Sequence, residues 1–239
     1  MSQTITLNIP SSLQDIKLSQ YQKYVKDVKT ILEKENPTQE ETEFANIKTL
    51  ECFCGLTMKE AYQLPVSDFD SIIKHINELF KQETPHRIHF DMIDPQGNKV
   101  EFGFIPQLEN ITMGEFVDLE KYLGDWQQMH KAMAILYRPV SYKRKEFYLI
   151  EDYEGSDKYS QVMKDSPIEA AIGAMVFFYS LSKELSKHLM DSLQKQLKKD
   201  SDFQNHLEQS GVGINQFMHS LKEMSESLDK FQSYPFRNV

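Results

Sequence analysis

Apolar residues recur along this chain with two periods. Ile5, Leu7 and Ile9 alternate with polar neighbours, as do Val100, Phe102 and Phe104. That is the period of a half-buried strand. Each triplet is followed by a polar stretch and then by apolar positions at helical spacing. Laid over one another without a gap, residues 100–116 echo residues 5–21. Leu13 falls on Leu108, Ile16 on Ile111, Leu18 on Met113 and Tyr21 on Phe116. Few of the paired residues are identical, so the repeat is one of pattern. It predicts two strand–turn–helix units that pack together, each helix carrying an aromatic in its first turn. Thr112 with Glu115 has the spacing of a capping box, and Ser19 with Gln22 offers the same in the first unit.

The second unit has the fuller strand context. Ile88, Phe90 and Met92 alternate on one side of "DPQGN", and Val100, Phe102 and Phe104 on the other. The turn chemistry between them predicts a β-hairpin. The first unit has one strand, whose open edge is a place for another chain to add.

Helical spacing covers most of the rest. It predicts helices over 21–32, over 44–54 with Gly55 as the stop, and over 66–82, where Phe69, Ile72, Ile73, Ile76, Leu79 and Phe80 share a face. A further pair spans 114–123 and 125–136, closed by Pro139. "KEFYLIEDY" is a candidate strand that extends the sheet. A long helix comes next, with Ser166 as N-cap, Pro167 at its first position and Glu169 completing the box, running to about residue 199. After a polar link, Ile214, Phe217, Leu221, Met224, Leu228 and Phe231 recur at three- and four-residue steps, a short heptad-like seam. That segment either docks on its own domain or binds a partner. As a partner-binding surface it is the one site the pattern nominates.

The expected fold is therefore α+β and mainly helical. A small antiparallel sheet, made of the N-terminal strand plus the central β-hairpin, is flanked by helices, with long C-terminal helices beyond. The expected organisation is a first strand–helix unit over 1–84, the hairpin with a second strand–helix unit over 85–160, a long capped helix over 161–200 packing on both, and a linker with an amphipathic helix over 201–239.

Composition narrows the function. The chain has 239 residues and a net charge of −9, which argues against a duplex-DNA binder that must release counterions, so direct nucleic-acid binding is not expected. Its densest basic run, "RPVSYKRK" at 138–145, reads as a solvated loop. The start lacks the basic and apolar regions of a secretory signal. The longest apolar run, residues 170–181, is well short of the roughly 20 residues a bilayer span needs. The two cysteines, Cys52 and Cys54, stand in a C-x-C pair that closes no ordinary disulfide, so a reducing cytoplasm is the expected setting.

Candidate chemistry is thin. His86 and His89 sit at the hairpin's first strand, where residues three apart face opposite sides; with Cys52 and Cys54 they make no recognised zinc spacing. The carboxylate pairs Asp68/Asp70, Asp91/Asp94 and Glu151/Asp152 carry no flanking histidine or metal-ligand pattern. There is no phosphate loop and no nucleophile elbow. Trp126, with Met129, Met133 and Leu136 at helical spacing, reads as core. Arg138, before Pro139, reads as an exposed helix terminus. No catalytic residue, metal or cofactor is assigned, and an enzyme is not expected.

The stretch "IPQLENITMGEFVDLEKYLGDWQQMHKAMAILYRPV" resembles tail assembly chaperones and the related baseplate hub assembly proteins of tailed bacteriophages, which share a short strand, an "ITM-x-EF"-like helix start and an "ALLYRP"-like helix end. The same flavour occurs in "ITLNIPSSLQDIKLSQYQKY" with "IKTLECFCG". The resemblance covers roughly residues 3 to 140 and extends more weakly to Ser166. It implies a non-enzymatic morphogenesis protein, a tail or baseplate assembly factor that binds another phage structural protein such as the tape-measure protein. It implies the host cytoplasm, or the virion, as location. The long C-terminal helices depart from the small chaperones and also suit the alternative, a stable virion subunit such as a head–tail connector, tail or baseplate component, which would self-assemble into a homo-oligomer.

Overall fold

The computed structural model describes residues 7–181, apart from positions 95 and 179 and the side chains of residues 32 and 109. The chain divides into two compact units, Met1–Ala174 and Met175–Val239. The second half of the expected long helix, the expected polar link and the 214–231 segment lie outside the described residues.

The first unit is α+β, and its four-stranded sheet is antiparallel throughout, in the order β1-β2-β3-β4. The strands are β1 His89–Ile93, β2 Lys99–Phe104, β3 Tyr137–Arg144 and β4 Phe147–Ile150. The hairpin between β1 and β2 is the expected one. Asp94 closes it by accepting the backbone N–H groups of Gln96 (2.9 Å) and Asn98 (2.7 Å), and Gly97 supplies a positive φ of 88°. β4 comes from the "KEFYLIEDY" stretch.

Two strand expectations change. The basic run at 138–145 is mostly β3, turning into β4 through Lys145, which has φ 55°. Pro139 ends the preceding helix as expected, but the chain passes from helix to strand with no loop, and Pro139 sits in the strand opposite Phe102. The described part of the expected N-terminal strand is not in the sheet. Residues 7–10 make no ladder, and the place beside the central hairpin is taken by β3. After Pro10 the chain turns at once, because Asp15 accepts the N–H groups of Ser11 (2.9 Å) and Ser12 (3.0 Å).

The helices are α1 Leu18–Leu32, α2 Gln39–Cys54, α3 Met58–Ala61, α4 Val66–Lys81, α5 Met113–Tyr122, α6 Met129–Leu136, α7 Asp157–Met163 and α8, which begins at residue 168 and runs through 178. Thr38, Thr57 and Thr112 each cap a helix in a reciprocal box with Glu41, Glu60 and Glu115, satisfying amides that the first turn leaves free. Gly55 ends α2 in the left-handed region at φ 72°. α1 starts earlier than the Ser19–Gln22 spacing implied: Gln20 Oε1 accepts the Lys17 N–H at 2.8 Å. Gln22 is buried instead. Its amide donates to the Trp126 carbonyl (2.8 Å) and lies 3.0 Å from His130 Nδ1.

α8 also departs from expectation. The Ser166 hydroxyl donates back to the Met163 carbonyl, so it does not cap. Glu169 pairs with Arg87 at 2.6 Å. The start of α8 is held by main chain instead: Ile168 N–H donates to Ile16 C=O, and Leu18 N–H to Ser166 C=O, both 2.8 Å. This short two-stranded join explains why Ile16, Leu18 and Ile168 are fully buried.

Two aromatic clusters fill the unit. Tyr21 meets Trp126 edge-on (4.7 Å) and Phe80 (5.8 Å), and Phe53 links Phe80 to Tyr24. Against the sheet, Phe90, Phe102, Phe104, Tyr137 and Tyr159 pack together. Burial at this scale, with roughly 1.5–3 kcal/mol for each large apolar side chain, is what offsets the ordering of the backbone. Trp126 belongs to the first cluster, with Met129, Met133 and Leu136 buried behind it, as the helical spacing indicated.

Candidate partner-binding surface

The six residues the sequence nominates for partner binding, Ile214, Phe217, Leu221, Met224, Leu228 and Phe231, lie outside the described residues. The other sequence candidates are dispersed. Cys52 and Cys54 are both buried in the last turn of α2, and burial pushes each thiol up to about 11. His86 packs edge-on against Phe104 and His89 against Tyr148, on opposite sides of the sheet. The acidic pairs are split between separate partners. Asp91 meets Lys99 (3.0 Å), Asp94 closes its turn, and Glu151 accepts from Tyr159 (2.7 Å) and Lys158 (3.0 Å). Among the described residues, no three His, Cys, Asp or Glu side chains are placed to hold a metal ion.

Arg138 is the clearest correction. It is buried, not an exposed terminus. Its Nη2 meets Glu115 Oε1 at 2.6 Å, with the two side chains only 8% and 5% exposed. Glu115 is itself the capping-box residue of α5, accepting the Thr112 N–H and hydroxyl at 2.7 Å each. Burial pushes the Glu115 pKa up, but the Thr112 hydrogen bonds and Arg138 outweigh it, so the pKa is lowered and the carboxylate stays ionised. Arg138 also lies over the Tyr153 ring at 5.5 Å, and the Tyr153 hydroxyl donates to Asp118 on the next turn of α5. Arg138 Nε and Nη1 are buried without a hydrogen-bond partner. Together these groups pin α5 to the sheet by charge.

That attachment sets which face of α5 points out. Glu115, Leu119 and Tyr122 turn inward. Met113, Phe116 and Val117 turn outward and are 74%, 50% and 49% exposed. The corresponding positions of the first unit, Leu18 and Tyr21, are fully buried. The echo in the sequence therefore does not produce a pseudo-symmetric pair. The same apolar phrase is core in α1 and surface in α5.

A second apolar patch sits at the tip of the β3–β4 hairpin. A register shift between Val140 and Tyr142 lets Tyr142 pair with Leu149 and Arg144 with Phe147. Tyr142, Phe147 and Leu149 are each about half exposed. Lys143 lies on the other side of the hairpin, paired with Glu101. Neither patch was legible in the sequence, since exposure cannot be read from hydropathy alone.

No family model, curated protein or solved structure matches this chain. Among the described residues, no helix is long and apolar enough to cross a membrane.

Proposed function

We propose that this is a non-enzymatic phage morphogenesis protein, a tail or baseplate assembly factor that works by docking on another structural protein. The observation that carries the reading is the outward stripe Met113, Phe116 and Val117. Met113 and Phe116 lie inside the "ITMGEF" stretch on which the resemblance to tail assembly proteins rests, and Val117 follows it directly. A solitary exposed apolar residue is ordinary; three on one helix face, at the first turns of a helix held down by a buried ion pair, make a surface suited to a partner chain. The alternative within the same class is a subunit retained in the virion.

The test is a Phe116→Asp chain supplied in place of the natural one during particle assembly. Phe116 is half exposed, and Trp126 fluorescence reports that the variant folds. The expected result is a block before completed particles. Normal particle yield with the folded variant would overturn the proposal.

A further inference from the structure

The two exposed patches lie on opposite sides of the sheet. Arg138 stands opposite Gly103 in the ladder, and α5 is tied to that side through Glu115. A side chain added at Gly103 would meet Val140 and Tyr148, so Val140 and Tyr148 share that side. Leu149, next to Tyr148 in β4, and its partner Tyr142 project from the other. One chain therefore cannot bring its own two patches together.

Their charges are opposite. Beside the α5 stripe, Glu120 continues the outward face one turn on from Phe116 and has no ion-pair partner among the described residues. Asp118 and the exposed Asp152 lie toward the Tyr153 side. The one lysine on α5, Lys121, is drawn over the Tyr122 ring at 5.0 Å. On the hairpin tip, Arg144 and Lys145 are exposed, and neither has an ion-pair partner among the described residues. Exposed Glu146 offsets one of the tip's charges, so the tip is aromatic with a net positive charge, while the α5 stripe is apolar with a net negative charge beside it.

We infer that a second copy of this chain is the occupant: the hairpin tip of one copy, Tyr142, Arg144, Phe147 and Leu149, docks on the α5 stripe of the next, Met113, Phe116, Val117 and Glu120. The composition suits an interface centre, where aromatic residues and arginine dominate binding. Because the two patches differ and face opposite ways, the contact is head-to-tail. Repeated, it closes a ring or extends a filament. This inference rests on the reading of α5 as a docking surface and not on the phage assignment.

Sedimentation velocity on the full chain tests it. Association rises with protein concentration and weakens with added salt, as complementary charges require. Phe147→Asp and Phe116→Asp each weaken association by about tenfold or more, equivalent to roughly 1.4 kcal/mol. Mixed in equal amounts, those two variants form dimers and nothing larger, because each supplies one intact patch. Arg144→Glu and Glu120→Lys each weaken association, and the chain carrying both recovers it. A wild-type chain that stays monomeric at every concentration would overturn the inference, even if the Phe116→Asp block in particle assembly held. So would association that neither phenylalanine substitution alters, or a mixture that fails to combine. A monomeric wild type whose hairpin instead binds a mixed-sequence single-stranded oligonucleotide would also overturn it, and would reassign Tyr142, Arg144 and Phe147 to base stacking and phosphate contact.

Discussion

Replacing Glu115 by glutamine removes one charge from a buried pair and changes little else in shape. In the wild-type unit, Arg138 is 8% exposed at its side chain and Glu115 5%, with 2.6 Å between Nη2 and Oε1. Arg138 has no second hydrogen-bonded anion: its Nε and Nη1 lack hydrogen-bond partners, its other contact is the Tyr153 ring face, and Glu151 acts on it only through space. A glutamine carbonyl still accepts one hydrogen bond, from Thr112 or from Arg138, but leaves the guanidinium with no anion in contact and only Glu151 at longer range. Breaking a buried pair in this way costs about 3–5 kcal/mol, and we expect the lower end because one hydrogen bond survives. For a unit of this size that lowers Tm by roughly 6–12 °C. Urea unfolding followed by Trp126 fluorescence is the assay; the single tryptophan lies in the first cluster against Tyr21. The midpoint falls while the slope stays the same. Adding Arg138→Met to the Glu115→Gln chain recovers most of the loss, because no unpaired buried charge remains. A loss below about 1 kcal/mol in the single variant is the range of a hydrated surface pair, and would show that the charges are not held out of water.

Three further outcomes are expected of the same unit. Gly173→Ala gains helix propensity, yet its Cβ would come within 2.7 Å of the Pro85 carbonyl oxygen; the net effect is a loss of about 1–3 kcal/mol, measured by urea midpoint. Cys52 and Cys54, with thiols pushed up to about 11 by burial, react with a thiol reagent only as fast as the unit opens, so labelling accelerates steeply across the urea transition. His86, His89 and His130 all have pKa values lowered by burial. The unfolded chain therefore takes up protons first as pH falls through about 6.5. Stability declines as pH falls below about 6.5 toward the lowered folded-state values, and declines again at lower pH as Glu115, whose folded pKa is depressed, is protonated; urea midpoints across that range check both limbs.

Much of the fold was legible where local chemistry decides it. Asp94, Gly97 and Asn98 close a hairpin with their own side chains and backbone, and Thr112 with Glu115 caps a helix without outside help. α4 buries Ile72, Ile73, Ile76 and Leu79 as their spacing indicates. The departures are places where tertiary contacts override local pattern. Ser166 has the look of a cap, but the main chain at Ile16 and Leu18 reaches its helix first. Pro139 looks like a stop after a helix, but it sits at a ladder position beside Phe102, so Arg138 enters the sheet and meets Glu115. Residues 5–9 have the alternation of a strand, but those within the described chain, 7–9, make no ladder, and the Asp15-held turn follows directly after Pro10. The candidate surface was least legible. "DIKLSQY" and "NITMGEF" carry the same apolar pattern, and only the packing around Tyr21 and the charge pinning of α5 decide that one is core and the other is exposed. The seam from Ile214 to Phe231 lies outside the described residues, so the partner role assigned to it stands as a proposal.

Quantitative mass spectrometry of this protein in purified particles and in the infected-cell lysate bears on the proposed role without an intermediate step. A morphogenesis protein gives one of two results: a fixed small multiple per particle for a retained subunit, or abundance in the lysate with absence from particles for an assembly factor. A protein associated with neither particles nor their precursors would contradict that role.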